Sequence, residues 1–123
     1  MNKLPQQSRK IPTDKEFAVA SKEMAEHLAK EAEIRNRILS CIPKNVPCHD
    51  IWVWLNNPIP TVSFIYPSNS DLAAHEKNAF KTKIDIAIKE VLLSFGIDNC
   101  SIEYHSHQFV LEKYNGNYDK YFR

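Results

Sequence analysis

Two histidines one residue apart, His105 and His107, are the residues best spaced to do chemistry in this chain. On an extended strand their side chains point the same way, roughly 6.6 Å apart along the chain at about 3.3 Å per residue. Glu103 falls on the same side, so a strand running through this stretch offers two imidazoles and a carboxylate to a metal ion. Ser106 sets up a competing local structure. It makes a good N-cap for a helix starting at His107, and such a helix parts the two rings. No C-x-x-C or H-E-x-x-H spacing accompanies the pair. Its simplest reading is two partly exposed histidines, and no metal or other cofactor is assigned.

Nucleophilic chemistry has less to work with. Cys48, Cys100 or Ser106 could be paired with one of the five histidines, but none lies in a motif that builds an oxyanion hole. Gly96 and Gly116 are the only glycines, too few for a phosphate-cradling loop. Cys48 and His49 lie far along the chain from His105, and Asp98 with Glu103 defines no acid–base pair. His27 and His75 sit among charged neighbours on helices and read as surface residues. No catalytic residue is assigned.

Recognition chemistry is better represented. In "HDIWVWLNNPIPTVSFIY" (49–66), Ile51, Val53 and Leu55 alternate with Trp52 and Trp54, so one strand carries an aliphatic side and an indole side. The C-terminal "EKYNGNYDKYFR" adds Tyr114, Tyr118, Tyr121 and Phe122. Its interleaved acids and bases leave it nearly neutral, which favours packing over stacking on nucleic-acid bases. Two occupants fit the indole side: these C-terminal aromatics, or another protein or second copy of the chain. Tryptophan and tyrosine carry a disproportionate share of interface energy. Trp52, Trp54, Tyr114, Tyr118 and Tyr121 are therefore the candidate binding residues.

The elements that must position these residues follow from periodicity. Thr13 and Glu16 form a capping box for a long helix reaching about residue 42, with Phe17, Met24, Leu28, Ala32, Ile38 and Ile42 as its apolar stripe. Its charged middle, "KEAEIRNR", predicts a stretch lying over the surface. "PKNVP" stops it. Strands follow at about 49–55 and 61–66. Pro58 and Pro60 place a loop between them and an edge position at the start of the second. A second helix over about 70–95 carries Ala73, Phe80, Ile84, Ala87, Val91 and Phe95 on one stripe. Lys77, Lys81, Asp85 and Lys89 line its other side, with Asp85 set to support Lys89. Gly96 caps it and Ile97 folds back. A third strand at about 99–105 and a short helix at 107–114, closed by Asn115 and Gly116, complete the chain.

The predicted fold is therefore α+β: a small, mostly antiparallel three-stranded sheet with two long helices packed on one face. The order is α-β-β-α-β plus a short terminal helix. This order is similar to that of KH-like RNA-binding domains, which clamp nucleic-acid backbone with a Gly-x-x-Gly loop. The resemblance is one of element order, and it implies RNA binding. No such loop is present in this sequence.

Composition narrows the classes further. At 123 residues, 43% hydrophobic and 25% charged, the chain suits one globular domain at 13–123. Residues 1–12 carry three basic and no acidic side chains and read as a flexible basic tail. The rest holds 13 basic and 15 acidic residues, a net charge of −2 that argues against nucleic acid. No apolar run approaches a membrane span or a secretory signal. Three cysteines, an odd number, fit reduced thiols and a cytoplasmic setting. The expectation is a non-enzymatic protein-interaction module of inhibitor, immunity or regulatory type, bound to another protein or to its own copy. The alternatives are a KH-like RNA-binding protein and a small metal-dependent enzyme using His105 and His107.

Overall fold

Proline at position 43 bars helical geometry from the residue before it, and the first helix ends accordingly. In the computed structural model, which describes residues 14–123 and side chains from residue 18 onward, α1 spans Asp14–Cys41. The basic tail, the Thr13–Glu16 cap and the Phe17 side chain lie outside what is described. The chain divides into two compact units, Met1–Lys30 and Glu31–Arg123. In the first, the described residues are helical, with Val19, Met24 and Leu28 exposed and His27 half-buried.

The second unit begins within the charged stretch expected over the surface; Ala32, Glu33, Asn36 and Arg37 are exposed, but one side of the stretch packs inward. Ile34 and Ile38, one turn apart, are both fully buried. Their polar neighbours bind backbone of the first strand, β1 (Asp50–Trp54), which forms one edge of the sheet. Arg35 Nε donates to the Ile51 carbonyl at 3.0 Å, and its guanidinium meets Asp50 Oδ1 at 2.6 Å. Glu31 accepts from the Leu55 N–H at 2.8 Å. These charges occupy backbone groups an edge strand would otherwise leave open.

β2 (Thr61–Tyr66) is the central strand, antiparallel to β1 and parallel to β3 (Ser101–Ser106). Two expectations fall here. The sheet is mixed rather than mostly antiparallel, and β2 is not at an edge. More than thirty residues separate β2 from β3, enough for the crossover that a parallel pairing needs. Pro60 precedes the strand and offers its carbonyl to Ser101 N–H at 2.9 Å, so it costs the ladder nothing.

The crossover holds two helices, α2 (Asn69–Ala73) and α3 (Phe80–Ser94), where one was expected. The turn between them passes through Ala79 at φ +62°, a left-handed conformation that costs a residue with a Cβ. No large apolar side chain falls between Leu72 and Phe80 to hold a continuous helix on the sheet. His75 instead pairs its Nδ1 with the Tyr66 hydroxyl at 3.1 Å. Ala73, assigned to the apolar stripe, is exposed, and Leu72 packs in its place. Asp85 pairs with Lys81 at 3.0 Å rather than with Lys89, and it also accepts the Tyr104 hydroxyl. The C-terminal end of α3 is as expected: Gly96 sits at φ +81° and Ile97 N–H returns to Leu92 O at 2.9 Å.

Side chains at alternate sheet positions meet α1 and α3 in one core. Ile51, Val53, Val62 and Phe64 pack with Ile34, Ile38, Ile84 and Ile88. After β3, Ser106 accepts from Phe109 N–H and caps α4 (His107–Tyr114), which Asn115 and Gly116 close at positive φ. An additional helix, α5 (Tyr118–Tyr121), is capped by Asn117. The class is α+β.

Candidate functional site

The register of the sheet assembles its second face. Trp52 lies opposite Ser63 and Trp54 opposite Thr61. Across β3, Ser63 lies opposite Glu103 and Ile65 opposite His105. Period-two alternation therefore puts both tryptophans, Ser63, Glu103 and His105 on one surface. The chain's own C-terminus covers it. Phe122 sits 5.2 Å from Trp52 and 4.8 Å from Trp54 between ring centroids, and Tyr118 lies 5.5 Å from Trp52. Tyr121 reaches Tyr114 at 5.3 Å and Tyr118 at 6.5 Å. All five candidate binding residues thus belong to one aromatic cluster, with Phe122 at its centre. Every ring of that cluster remains half-buried.

Beneath the rings lies a polar group of four. Tyr121 OH and His105 Nδ1 are 2.8 Å apart, and His105 Nε2 is 3.2 Å from Ser63 Oγ and 3.4 Å from Glu103 Oε1. Ser63 Oγ donates to the same Glu103 oxygen at 3.1 Å. A neutral ring protonated at Nε2 satisfies every member: Tyr121 donates to Nδ1, and Nε2–H and Ser63 both donate to the carboxylate. Burial pushes His105 below its usual pKa, while the Glu103 hydrogen bond and charge oppose the shift. The trio resembles a Ser-His-Glu relay in composition and differs in geometry. In a relay the carboxylate holds the nitrogen opposite the nucleophile. Here carboxylate and hydroxyl share Nε2, and Ser63 is fully buried on the central strand. The arrangement bonds the face together and gives Ser63 no route to a substrate.

The metal candidates separate. Glu103 and His105 come together, but β3 ends at Ser106 and His107 opens α4. His107 stacks on His49 at 3.6 Å with planes 13° apart, and its Nδ1 lies 2.6 Å from the Tyr118 hydroxyl. Parallel rings aim their nitrogen lone pairs in parallel planes, so the stacked pair does not converge on one ion. Among the described residues no group of three or more His, Cys, Asp or Glu side chains could hold a metal. His49, set aside as remote by sequence, is His107's direct partner. Burial and then the neighbouring His49 lower the His107 pKa.

On the helix side a second polar cluster joins Tyr66, His75, Tyr104, Asp85 and Lys81. Burial, reinforced by Asp85, raises both tyrosine pKa values, and burial lowers that of His75. Cys48 is pushed up to about 11 by burial and then by Asp50, which leaves it a poor nucleophile at neutral pH.

Sequence reading missed Ser63 and did not place Phe122 among the binding residues. Period-two spacing from the tryptophans across the hairpin was the available signal for Ser63. Comparison with known proteins gives no match to a family model, a curated protein or a solved structure.

Proposed function

We propose that this protein is a small non-enzymatic interaction module of inhibitor, immunity or regulatory type. Its binding surface is the outer aromatic face, centred on Trp52, Trp54, Tyr114, Tyr118 and Tyr121. One observation carries the reading: these rings form a contiguous cluster in which each remains half-buried. On the helix side, by contrast, Phe64 and Tyr66 are fully buried. Half-buried tryptophan and tyrosine keep apolar area and polar tips available to a partner, the composition favoured at interface centres. The partner is another protein or a second copy of the chain. The test is photo-crosslinking from a benzoylphenylalanine placed at Tyr118, with Lys44 as the control site. A single partner captured at Tyr118 and not at Lys44 supports the reading, and equal capture at both sites counts against it.

A KH-like RNA-binding role is the second reading, favoured by the split crossover. With α2 and α3 separated by a turn and β3 parallel to β2, the order up to β3 is α-β-β-α-α-β. The turn reads His75-Glu76-Lys77-Asn78-Ala79 and has no glycine to admit a phosphate close to its amides. Anisotropy with mixed single-stranded oligonucleotides at about 150 mM salt separates the two readings. Affinity no tighter than about 1 μM is the expected outcome.

A further inference from the structure

Where β1, β2 and the last residues of the chain meet on the outer face, a recess of about 290 Å³ is lined by Trp54, Asn57, Thr61, Glu103 and Phe122. Two rings and one carboxylate dominate its chemistry. Trp54 and Phe122 meet edge to face at 4.8 Å. Glu103 is 48% exposed, and its contacts with Ser63 and His105 both run through Oε1. The second carboxylate oxygen takes no partner among the described residues. His105 is only 14% exposed, and burial disfavours its charged form, so it does not neutralise Glu103. Among the described residues no lysine or arginine pairs with Glu103. An uncompensated negative charge therefore borders a recess with aromatic walls.

We propose that this recess binds a guanidinium or primary ammonium group, presented as an arginine or lysine side chain by a partner polypeptide. The carboxylate supplies a charge-assisted acceptor and the rings supply cation–π attraction. Asn57 lines the recess beside them. Thr61 is held in place by its hydroxyl donating to Ile59 O at 3.0 Å. The volume falls at the lower end of ligand pockets, a fit for one side-chain head and stem rather than a drug-sized molecule. The source of the cation rests on the protein-binding reading, whereas the chemistry of the recess does not.

The experiment is a titration of the full chain followed by amide and indole NMR shifts. The probes are n-propylguanidinium, its neutral isostere n-propylurea, and acetyl-Gly-Arg-Gly-amide. The expected result is saturable shifts at the Trp54 indole, Asn57 and Thr61 with both cations and none with the urea. Glu103→Gln keeps an oxygen for Ser63 and removes the charge, so it weakens the cations about tenfold, the loss of one charge-assisted contact. Phe122→Leu keeps apolar packing, removes a ring and weakens them several-fold, an independent arm if Glu103→Gln fails to fold. Equal response to the urea, affinity unchanged in the soluble variant, or no saturation by about 50 mM overturns the proposal. Binding of propylguanidinium without the peptide overturns the side-chain source. A partner crosslinked at Tyr118 while no cation binds overturns this proposal and leaves the protein-binding reading intact.

Discussion

The two faces of the sheet differ in how they are covered. On the helix side Ile51, Val53, Val62 and Phe64 meet isoleucines of α1 and α3, with the polar cluster of Tyr66, His75, Tyr104, Asp85 and Lys81 beside them. On the outer side Trp52 and Trp54 meet Tyr118 of α5 and Phe122 just beyond it, above Glu103, His105 and the fully buried Ser63 and Ile65. Aliphatic packing over long helices is cooperative: removing one member leaves a cavity the rest cannot fill. A terminal segment held by ring edges and hydroxyls detaches with less consequence, because its backbone bonds are mostly local. The helix side therefore carries the larger aliphatic core, and the outer side carries the half-buried rings.

The largest expected effect tests the helix side. Phe64→Ala removes a fully buried ring from the central strand and should cost about 3–5 kcal/mol by urea denaturation. That is a large fraction of a small domain's stability, so all spectroscopic probes should fall in one transition. A loss near 1 kcal/mol would show that the two faces share the load.

Replacing Trp52 and Trp54 together with threonine tests the outer side. Strand propensity is kept and the ring contacts go, for an expected loss of about 2–3 kcal/mol. Because the C-terminal segment is what covers these indoles, the Tyr118–Phe122 stretch should become protease-sensitive while far-UV circular dichroism stays native. Global unfolding of this variant would make the outer face core, and the comparison would fail.

How much of this was legible depends on range. Elements governed by local chemistry were readable: the stop before Pro43, the Ser106 cap on α4, the left-handed Asn115 and Gly116, and the Ile97 return after α3. The alternation that puts Trp52 and Trp54 on one face was readable too, as was the C-terminal segment as one of two possible covers. Non-local choices were not. Nothing local to "KEAEIRNR" says that Arg35 and Glu31 will bind the edge of β1. The long crossover permits a parallel pairing of β3 without requiring it. The break before Ala79 goes with a contact between His75 and Tyr66, nine residues apart, that local periodicity does not show. The stacking of His49 on His107 joins residues 58 positions apart, and the pairing of Ser63 with His105 joins residues 42 apart.

Acid sharpens the contrast, because two of the three histidines with lowered pKa face the C-terminal segment. His105 bonds Tyr121 and His107 bonds Tyr118, whereas His75 lies on the helix side. All three are pushed below the usual value of 6.5, with burial the leading cause. The unfolded chain therefore binds more protons than the folded one between those depressed values and 6.5. Stability is complete above about pH 6.5 and declines as pH falls through that window. Tryptophan emission should shift to the red before helical circular dichroism changes. His105→Gln, which retains hydrogen bonding without titrating, should flatten the decline, and an unaltered pH profile would remove His105 from the account.

The smallest effect uses thiols to ask whether the faces open independently. Cys41 is exposed, whereas Cys48 packs against the helix-side core and hydrogen-bonds the Asp50 carbonyl. With its pKa pushed up to about 11, Cys48 holds very little thiolate at pH 8. Iodoacetamide should therefore label the exposed Cys41 first and the half-buried Cys48 far more slowly. The informative step is to repeat the labelling on the Trp52→Thr, Trp54→Thr variant. If the outer cover opens alone, the C-terminal segment becomes accessible and the Cys48 rate scarcely moves, because its thiol still sits against an intact core. If the Cys48 rate rises in step with C-terminal proteolysis, opening one face opens the other. The sheet would then be a single cooperative layer, and a partner engaging the aromatic rim would have to unfold what it binds.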